Sequence, residues 1–486
     1  MASIRKSLAY TIAQQYGCAA IAFVSIVILA RLLTPSEVGI YSVSAAVIGI
    51  AHMVRDFGIG RYLIQEPDLT TDRFRSAFGV GIAISWMIAV ALYLGRGYIA
   101  EFYGDHRLRE VTSVLAFNFF LIPIGSPILW MMAREMKFGQ LFFVNISTQI
   151  VQSATSITLA VLGFSYMSMA WGSVAGVVVT AGLASLLDSR HVLLRPSFKA
   201  WRRVLGFGTW ASAQSLVSEL GNSAADLVLG RTLGFDAVAL FSRAQGLIAT
   251  IHRDIIKAAI IVAFPALAKR HREGADLHEP YERGTAYLFA LTWPVIALLA
   301  IIAHPLIAFL FGPNWKAAAP LLQILCASAW LWPVPTLANQ TLLALGHIKL
   351  IFKIETVGQT LRVIALVIGS FFGLAAVAAL QAVPTLTGPV MWLWAAETVI
   401  GTKARTLLRP ALQGIGVTLF SAAGPLAVSL PAGQVSKFMI LALSGTLWAA
   451  GWIIGIFVVR HPIREEVLRV WASLFGIAAA ARAKRR

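Results

Sequence analysis

The sequence predicts an all-α, polytopic membrane protein with about fourteen transmembrane helices. Apolar residues make up 58% of the 486 residues and charged residues only 13%, with a mean hydropathy of +0.76. This composition lies outside the range of soluble globular domains. Apolar windows of about 20 residues, the length that crosses a bilayer, recur along the whole chain. No polar stretch exceeds about 25 residues, which excludes an additional soluble domain of ordinary size.

Turn-forming residues separate the apolar windows into individual spans. They include Thr34-Pro35-Ser36, Gly104-Asp105, Gly234-Phe235-Asp236, Gly312-Pro313-Asn314 and Pro431-Ala432-Gly433. The first window follows Arg5 and Lys6, but it is longer than the apolar region of a signal peptide, so we interpret it as an uncleaved span. The predicted spans are residues 10–33, 39–60, 76–97, 110–133, 138–162, 165–187, 205–230, 237–265, 284–311, 317–345, 350–371, 374–397, 410–430 and 437–459.

Basic residues concentrate in alternate loops. With the N-terminus inside, about 28 Lys and Arg residues fall in inside segments and about 7 in outside segments. This bias explains the net charge of +18 without nucleic acid as a partner, and it predicts that both termini are cytoplasmic. Cys18 and Cys326 lie in apolar runs far apart, so the sequence predicts neither a disulfide nor a metal site.

A weak internal repeat relates two parts of the chain at an offset of 200 residues. Arg31 aligns with Arg231, and His52 aligns with His252, each histidine followed by an Arg-Asp pair. Spans 1–2 therefore match spans 7–8, which indicates two parallel six-helix lobes around a central cavity. The predicted division is residues 1–200 and 201–405 for the lobes, 406–460 for two additional helices, and 461–486 for a basic cytoplasmic tail, either an interfacial amphipathic helix or a solvated segment.

Several spans carry ionisable side chains, each of which costs roughly 3 kcal/mol or more at the centre of a bilayer. At 100° per residue, these side chains form stripes on single helix faces. Such stripes are tolerated where helices surround a polar, watered cavity. Span 5 adds an uncharged stripe of Asn145, Gln149 and Gln152.

Cationic side chains in the spans are candidate ligands for a phosphorylated or otherwise anionic headgroup, because the guanidinium fork and the ammonium group suit phosphate oxygens. Pairing with acids of neighbouring helices is the alternative role, since acids and bases are similar in number. The acids are also candidates for proton or sodium coupling. The candidate cations are Arg55, Arg243, Arg253, Lys257 and Arg362, and the candidate coupling acids are Asp56, Glu219, Asp226, Asp254 and Glu355.

Enzyme motifs are absent from the sequence: it contains no GxSxG, no Walker A and no HExxH pattern. We therefore expect a protein that is not an enzyme and that has no cofactor beyond a coupling ion. A membrane-embedded enzyme is disfavoured by the short external loops. A non-catalytic membrane scaffold remains an alternative, although a scaffold does not need charges within its spans.

Two stretches resemble the polysaccharide-transporter family of Wzx-like oligosaccharide flippases, within the multidrug/oligosaccharidyl-lipid/polysaccharide exporter superfamily. The first is ARLLTPSEVGIYSVSAAVIGIAHMVRDFGIGRYLIQE at 30–66, and the second is LGRTLGFDAVALFSRAQGLIATIHRDIIKAAIIVAFPALAK at 229–269. The likeness in span number and loop length extends over most of the chain. Lipid II flippases of the same superfamily also have fourteen spans, but their cavities are more basic.

The resemblance implies a flippase of the bacterial inner membrane that works by alternating access. Its substrate would be an undecaprenyl-pyrophosphate-linked oligosaccharide, moved from the cytoplasmic to the periplasmic leaflet for exopolysaccharide or O-antigen synthesis. The candidate cations would then meet the pyrophosphate. Alternatives within the superfamily are a lipid II flippase and an ion-coupled exporter. Another alternative is a non-catalytic scaffold of a polysaccharide export complex, and a glycan ligase or polymerase is disfavoured. Expected partners are the lipid-linked oligosaccharide, membrane lipids and polysaccharide polymerase or export machinery.

Overall fold

The computed structural model describes residues 2–56, 58–188, 196–199, 201–202, 209–273, 275–429, 436–469 and 471–472. Within these ranges, only the backbone is described for residues 2–5, 209–215, 251–254, 256–269 and 271. The described residues are mostly α-helical. The helices are α1 (Ala2–Leu32), α2 (Pro35–Asp56), α3 (Ile59–Gln65), α4 (Thr71–Tyr103), α5 (Arg107–Arg134), α6 (Phe138–Val161), α7 (Met167–Leu187), α8 (Thr209–Thr232), α9 (Phe235–Arg272), α10 (His278–Ile301), α11 (Ala303–Leu310), α12 (Ala318–Ser328), α13 (Pro333–Ala344), α14 (Ile348–Ser370), α15 (Leu374–Leu380), α16 (Ala382–Ile400), α17 (Leu408–Ser429) and α18 (Lys437–Val458).

Nine helical segments of the described chain are long and apolar enough to cross a membrane, or ten if the bent pair of α12 and α13 is one span. Helices α6, α8, α9 and α14 have a sufficient length of 23 to 38 residues. They fall outside the apolar set because they carry charged or amide side chains. The all-helical prediction is confirmed, and the count of fourteen, which requires these four polar helices, stays a prediction.

Four predicted spans contain a break or a bend in the helix. The second breaks before α3, where Gly58 adopts a φ of +74° that favours glycine. The ninth divides between α10 and α11 at Ile302. The tenth bends by 44° where Pro333 begins α13, because a proline cannot continue the hydrogen bonding of the preceding helix. The twelfth divides between α15 and α16 at Gln381.

The chain forms two compact units, residues 1–239 and 240–486. The division falls within α9, so the whole of α8 lies in the first unit. The boundary between two six-helix lobes at residue 200 stays a prediction.

The internal repeat is visible in the backbone. The link between α1 and α2 and the link between α8 and α9 occupy positions 33–34 and 233–234. The N–H of Leu33 donates to the Leu29 carbonyl at 2.8 Å, and the N–H of Leu233 donates to the Leu229 carbonyl at 2.8 Å. The two helical joints therefore have the same hydrogen bonding at an offset of 200 residues.

In the first unit, small residues allow α2 and α8 to pack closely. A Cβ at Gly39 would collide with the Phe235 carbonyl, and a Cβ at Gly230 would lie 2.6 Å from a methyl of Val43. Close approach of backbones through small residues is a common means of helix association in membranes. The second helix of one repeat copy thus packs against the first helix of the other copy.

Prolines within helices leave carbonyls that neighbouring side chains satisfy. Pro123 has no N–H for the carbonyl of Phe119, four residues earlier in α5. The buried hydroxyl of Ser85 in α4 donates to that carbonyl at 2.6 Å. In hydrocarbon there is no water to serve the freed group, so this contact stabilises the packing of α4 against α5.

In the second unit, tryptophan side chains donate to carbonyls beside a helix proline. Pro294 leaves the Ala290 carbonyl of α10 without its helical donor. The indole of Trp452 in α18 donates to the Ala290 carbonyl at 2.7 Å, and the indole of Trp448 donates to the Pro294 carbonyl at 2.9 Å. Helix α18 is therefore bound to α10 by specific hydrogen bonds as well as by apolar contacts.

The segment after α18 packs against α10, α17 and α18 within the second unit. His461 is fully buried, and its Nδ1 accepts the N–H of Ile463 at 3.2 Å. Residues 463–469 are helical, and Ile463 packs in a core cluster with Ala290, Val417 and Ile456. Burial lowers the pKa of His461 to about 4, although the nearby Ala286 carbonyl opposes this shift.

We expect Trp452→Phe to lower the free energy of unfolding by about 1–3 kcal/mol, because it leaves the proline-freed Ala290 carbonyl without a donor in an apolar environment. Trp448→Phe is the matched control. Its acceptor, the Pro294 carbonyl, keeps the N–H of Leu298 as its regular helical donor. The decrease in the free energy of unfolding should therefore be smaller. Thermal or denaturant unfolding of the purified protein in detergent measures both.

A double-mutant cycle sharpens this prediction. Pro294→Ala restores an N–H for the Ala290 carbonyl, so Trp452→Phe should be less destabilising in that background than in the wild type. An equal loss in both backgrounds would show that the indole acts by packing alone.

We expect the stability of the second unit to fall as the pH decreases from 6.5 to about 4. The folded protein holds His461 neutral, whereas the unfolded chain takes up a proton near the ordinary pKa of 6.5, so protonation favours unfolding in this window. The full effect is up to about 3 kcal/mol, and it is absent above pH 6.5. The unfolding midpoint should depend less on pH across this range in His461→Gln than in the wild type. It should keep the wild-type pH dependence in His106→Gln, because His106 is an exposed loop histidine.

Candidate functional site

Arg55 and Asp56 form an ion pair at the end of α2. The Arg55 Nε donates to Asp56 Oδ1 at 3.0 Å, and a second guanidinium nitrogen donates to the same oxygen. The Arg55 side chain is 12% exposed and the Asp56 side chain is 40% exposed. Arg55 lines a narrow crevice among α3, α4 and α5 that is bordered by Pro127 and Trp130. The alternative of ion pairing is thus realised here, with the next residue in the chain as the partner, while substrate binding by Arg55 stays a prediction.

The acids of α8 lie within the first unit. Glu219 accepts a hydrogen bond from Ser223 at 3.2 Å, and its Oε1 lies against Gly49 of α2, 2.8 Å from the position of a Cβ there. Asp226, two turns later, is half-buried within electrostatic range of Tyr103. The structure thus places two candidate coupling acids on a helix that packs against α2 and α4.

One member of the amide stripe of α6, Gln152, lies at the contact with α7. A Cβ at Gly172 of α7 would collide with Ser156, and a Cβ at Gly176 would lie 3.1 Å from Gln152 Oε1. The hydroxyls of Thr148 and Thr180 hydrogen-bond across the same seam at 2.7 Å. Gln152 therefore packs in the interface between α6 and α7, where polar groups bind adjacent helices. The expectation that it lines a watered cavity is wrong.

In the second unit, Arg243 lies near the start of α9 against two aromatic rings. Its guanidinium carbon is 5.5 Å from the ring centre of Trp315 and 6.0 Å from that of Phe311. Trp315 is fully buried, and these distances fit cation–π attraction. This arrangement fixes the guanidinium at the segment that follows α11.

Helix α14 presents its predicted polar stripe of Glu355, Gln359 and Arg362, all half-buried. The Oε1 atom of Gln359 is buried and has no hydrogen-bond donor among the described residues. An unsatisfied amide in an apolar helix is unfavourable, so this face suits contact with water or a polar ligand.

Three candidate residues, Arg253, Asp254 and Lys257, have side chains that lie outside the described part of the structure. Their backbone belongs to the continuous helix α9. Among the described residues, no three His, Cys, Asp or Glu side chains are grouped to hold a metal ion.

A polar cluster at the other end of the first unit was missed by the sequence analysis. Glu37 accepts the N–H of Thr34 at 2.7 Å and also binds the Ser165 hydroxyl, which joins the start of α2 to the loop before α7. Tyr166 donates to Glu110 at 2.8 Å. Only the capping pattern of Thr34 and Glu37 was visible in the sequence.

The loop before α5 contributes an ion pair to this cluster. The Arg107 guanidinium hydrogen-bonds both carboxylate oxygens of Asp105 at 2.6 to 3.1 Å, which lowers the pKa of Asp105. Burial and the Glu110 contact raise the pKa of Tyr166 to about 12. These groups tie the loops at this end together.

The fold is that of multi-helix membrane transporters and flippases. The chain resembles the inward closed form of the lipid II flippase MurJ with a TM-score of 0.74 at 12% identity, covering 95% of this chain and 100% of that chain. It also resembles an inward-facing multidrug resistance MATE family transporter of the MOP superfamily with a TM-score of 0.62 at 16% identity, covering 79% of this chain and 95% of that one.

The chain belongs to the family described as "Polysaccharide biosynthesis protein", whose sequence profile matches residues 28–320. This match includes both stretches that carry the resemblance noted above. It confirms the family assignment made from the sequence.

Characterised relatives of the chain are named for polysaccharide synthesis. The lipopolysaccharide biosynthesis protein WzxC of Escherichia coli (strain K12) is 23% identical over 71% of this chain and 71% of its own length. The teichuronic acid biosynthesis protein TuaB of Bacillus subtilis (strain 168) is 25% identical over 78% of this chain and 77% of its own length. The succinoglycan biosynthesis transport protein ExoT of Rhizobium meliloti (strain 1021) is 24% identical over 67% of this chain and 66% of its own length.

We expect Gly172→Ala to destabilise the first unit by about 1–3 kcal/mol, because the added methyl would meet Ser156 and lie 2.9 Å from the Gln152 carbonyl. Gly182→Ala on the same helix is the control, since no described atom outside its own helical turn lies within 4 Å of its Cβ position. Unfolding midpoints in detergent compare the two. Equal midpoints for both variants would contradict the seam between α6 and α7.

Proposed function

We propose that the protein is a flippase that moves undecaprenyl-pyrophosphate-linked oligosaccharide units from the cytoplasmic to the periplasmic leaflet. The observation that carries this proposal is the family membership of the chain. In addition, the sequences of the long helices α8, α9 and α14 contain stripes of charged residues. Charges are expensive within spans unless they serve a polar passenger or one another. The names of the relatives, which include a transport protein for succinoglycan, support an oligosaccharide passenger.

The proposed mechanism is alternating access with cationic recognition of the pyrophosphate. Guanidinium groups bind two phosphate oxygens at once, and an ammonium group adds a point charge. Helix α9 supplies Arg243, Arg253 and Lys257, helix α14 supplies Arg362, and α2 supplies Arg55. Asp56 already pairs with Arg55, so this cation would have to exchange its partner for phosphate.

Acids within the helices are proposed to couple transport to a proton or sodium gradient. Glu219 and Asp226 share one face of α8, and Glu355 lies one turn from Gln359 on α14. Asp254 is their counterpart on α9, and Asp56 is a weaker candidate because Arg55 neutralises it.

The proposed location is the bacterial inner membrane, with both termini in the cytoplasm. The positive-inside bias supports this orientation. Polysaccharide polymerase and export machinery on the periplasmic side are the proposed partners, since they would receive the flipped oligosaccharide.

Deletion of the protein should leave lipid-linked oligosaccharide on the cytoplasmic leaflet, and the wild-type gene should restore its transfer. Arg253→Gln or Arg362→Gln should lower the transfer rate roughly ten- to a hundredfold, because each removes a charge-assisted bond to phosphate. Arg61→Gln is the matched control, since Arg61 is exposed on α3 and is outside the proposed site. Leaflet sidedness is measured by access of a membrane-impermeant glycan reagent.

Three outcomes would contradict the proposal. Normal translocation with lost polymerisation would indicate an enzyme or a scaffold. A change in lipid II sidedness instead of oligosaccharide sidedness would indicate a lipid II flippase. Normal transport by stably inserted Arg253→Gln and Arg362→Gln proteins would disprove pyrophosphate recognition by these residues.

A further inference from the structure

A cavity of about 530 Å³ lies at the end of the first unit where α1 begins. It is bordered by the first turns of α1 and by the joint between α5 and α6. Its lining includes Lys6, Tyr10, Lys137, Phe138 and Gln140. The volume is within the range of about 300–1,000 Å³ that is typical of small-molecule sites.

The position of the cavity is that of a membrane interface. The apolar span of α1 begins at Lys6, and the span of α5 ends at Arg134, just before the lining residues of the joint. Tyr10 packs against the joint, with its ring 3.7 Å from a Cβ position at Gly139 and its centre 5.9 Å from the ring centre of Phe142. Aromatic rings beside lysines at the end of a span are typical of the headgroup region.

Among the described residues, the lining carries two ammonium groups and no carboxylate. Two carboxylates outside the lining hold Lys137, with Glu135 at 2.6 Å and Asp188 at 3.4 Å from its Nζ. The hydrogen bond to Glu135 raises the pKa of Lys137, so this side chain stays charged. Because these acids partly neutralise Lys137, the exposed Lys6 is the main cation for an anionic ligand.

Gln140 adds a requirement for a hydrogen-bond donor. Its Oε1 is buried and has no donor in the part of the chain that the structure describes. A buried acceptor without a partner is unfavourable, and a ligand hydroxyl would satisfy it.

We propose that this cavity binds the headgroup of an anionic phospholipid that carries hydroxyl groups, of the phosphatidylglycerol type. The phosphodiester lies near Lys6 and Lys137, and a glycerol hydroxyl donates to Gln140. The rings of Tyr10 and Phe138 contact the adjoining apolar part of the lipid. The ammonium of a zwitterionic phosphatidylethanolamine is repelled by Lys6 and offers no hydroxyl to Gln140. The site does not depend on the proposed flippase function.

The test uses the purified full chain in a neutral detergent, with lipid binding followed by native mass spectrometry and by the thermal unfolding midpoint. Phosphatidylglycerol should bind and raise the midpoint more than phosphatidic acid, phosphatidylethanolamine or inorganic phosphate. Lys6→Gln should weaken phosphatidylglycerol binding about tenfold. Gln140→Leu should remove the preference for phosphatidylglycerol over phosphatidic acid.

Lys349→Gln is the matched control, because Lys349 is an exposed lysine in the first turn of α14 and does not line the cavity. Equal loss of binding in Lys349→Gln and Lys6→Gln would overturn the site in favour of general surface attraction. Equal stabilisation by inorganic phosphate would overturn the lipid as the ligand. A wild-type protein that does not distinguish phosphatidylglycerol from phosphatidic acid would overturn the role of Gln140. Midpoints measured without lipid show whether each variant is folded.

Discussion

Hydrocarbon offers no hydrogen-bond partners, and this constraint accounts for most of what the structure contains. Each backbone N–H and C=O within a span must find a partner inside the protein, which an α-helix provides along its whole length. A proline leaves one carbonyl of its helix without a donor, and a neighbouring side chain can supply one. Ser85 donates to the carbonyl that Pro123 leaves in α5, and Trp452 donates to the carbonyl that Pro294 leaves in α10. The packing of α18 on α10 thus follows from a backbone requirement as well as from apolar contact.

The same constraint governs the polar side chains. Some of them satisfy one another between adjacent helices, as Thr148 and Thr180 do in the seam between α6 and α7. Others pair along one helix, as Arg55 and Asp56 do. The stripe on α14 is different, because the buried Oε1 of Gln359 has no donor among the described residues. Polar residues of similar sequence pattern therefore have two distinct roles, structural seams and candidate contacts to a polar passenger.

Much of the architecture was predictable because it depends on local properties of the chain. Apolar length and turn chemistry identified the helices, and the offset of 200 residues predicted two equivalent joints that share the same hydrogen bonds. The break before α3 was not predicted, because the hydropathy of a window does not register the positive φ of Gly58. The site could be predicted only as a set of candidate charges. A stripe of Gln149 and Gln152 looks the same in sequence whether it faces water or the glycines of α7.

By itself, the sequence determined the membrane environment, the helical class and the family, because composition, periodicity and the two family-like stretches are properties of single segments. Only the tertiary structure decided which polar groups are satisfied within the protein. Gln152 packs on α7, Arg55 has Asp56 as its partner, and Trp452 serves a carbonyl more than 150 residues away in the chain. Such partners are set by which helix faces meet, and helix faces far apart in sequence meet only once the chain has folded.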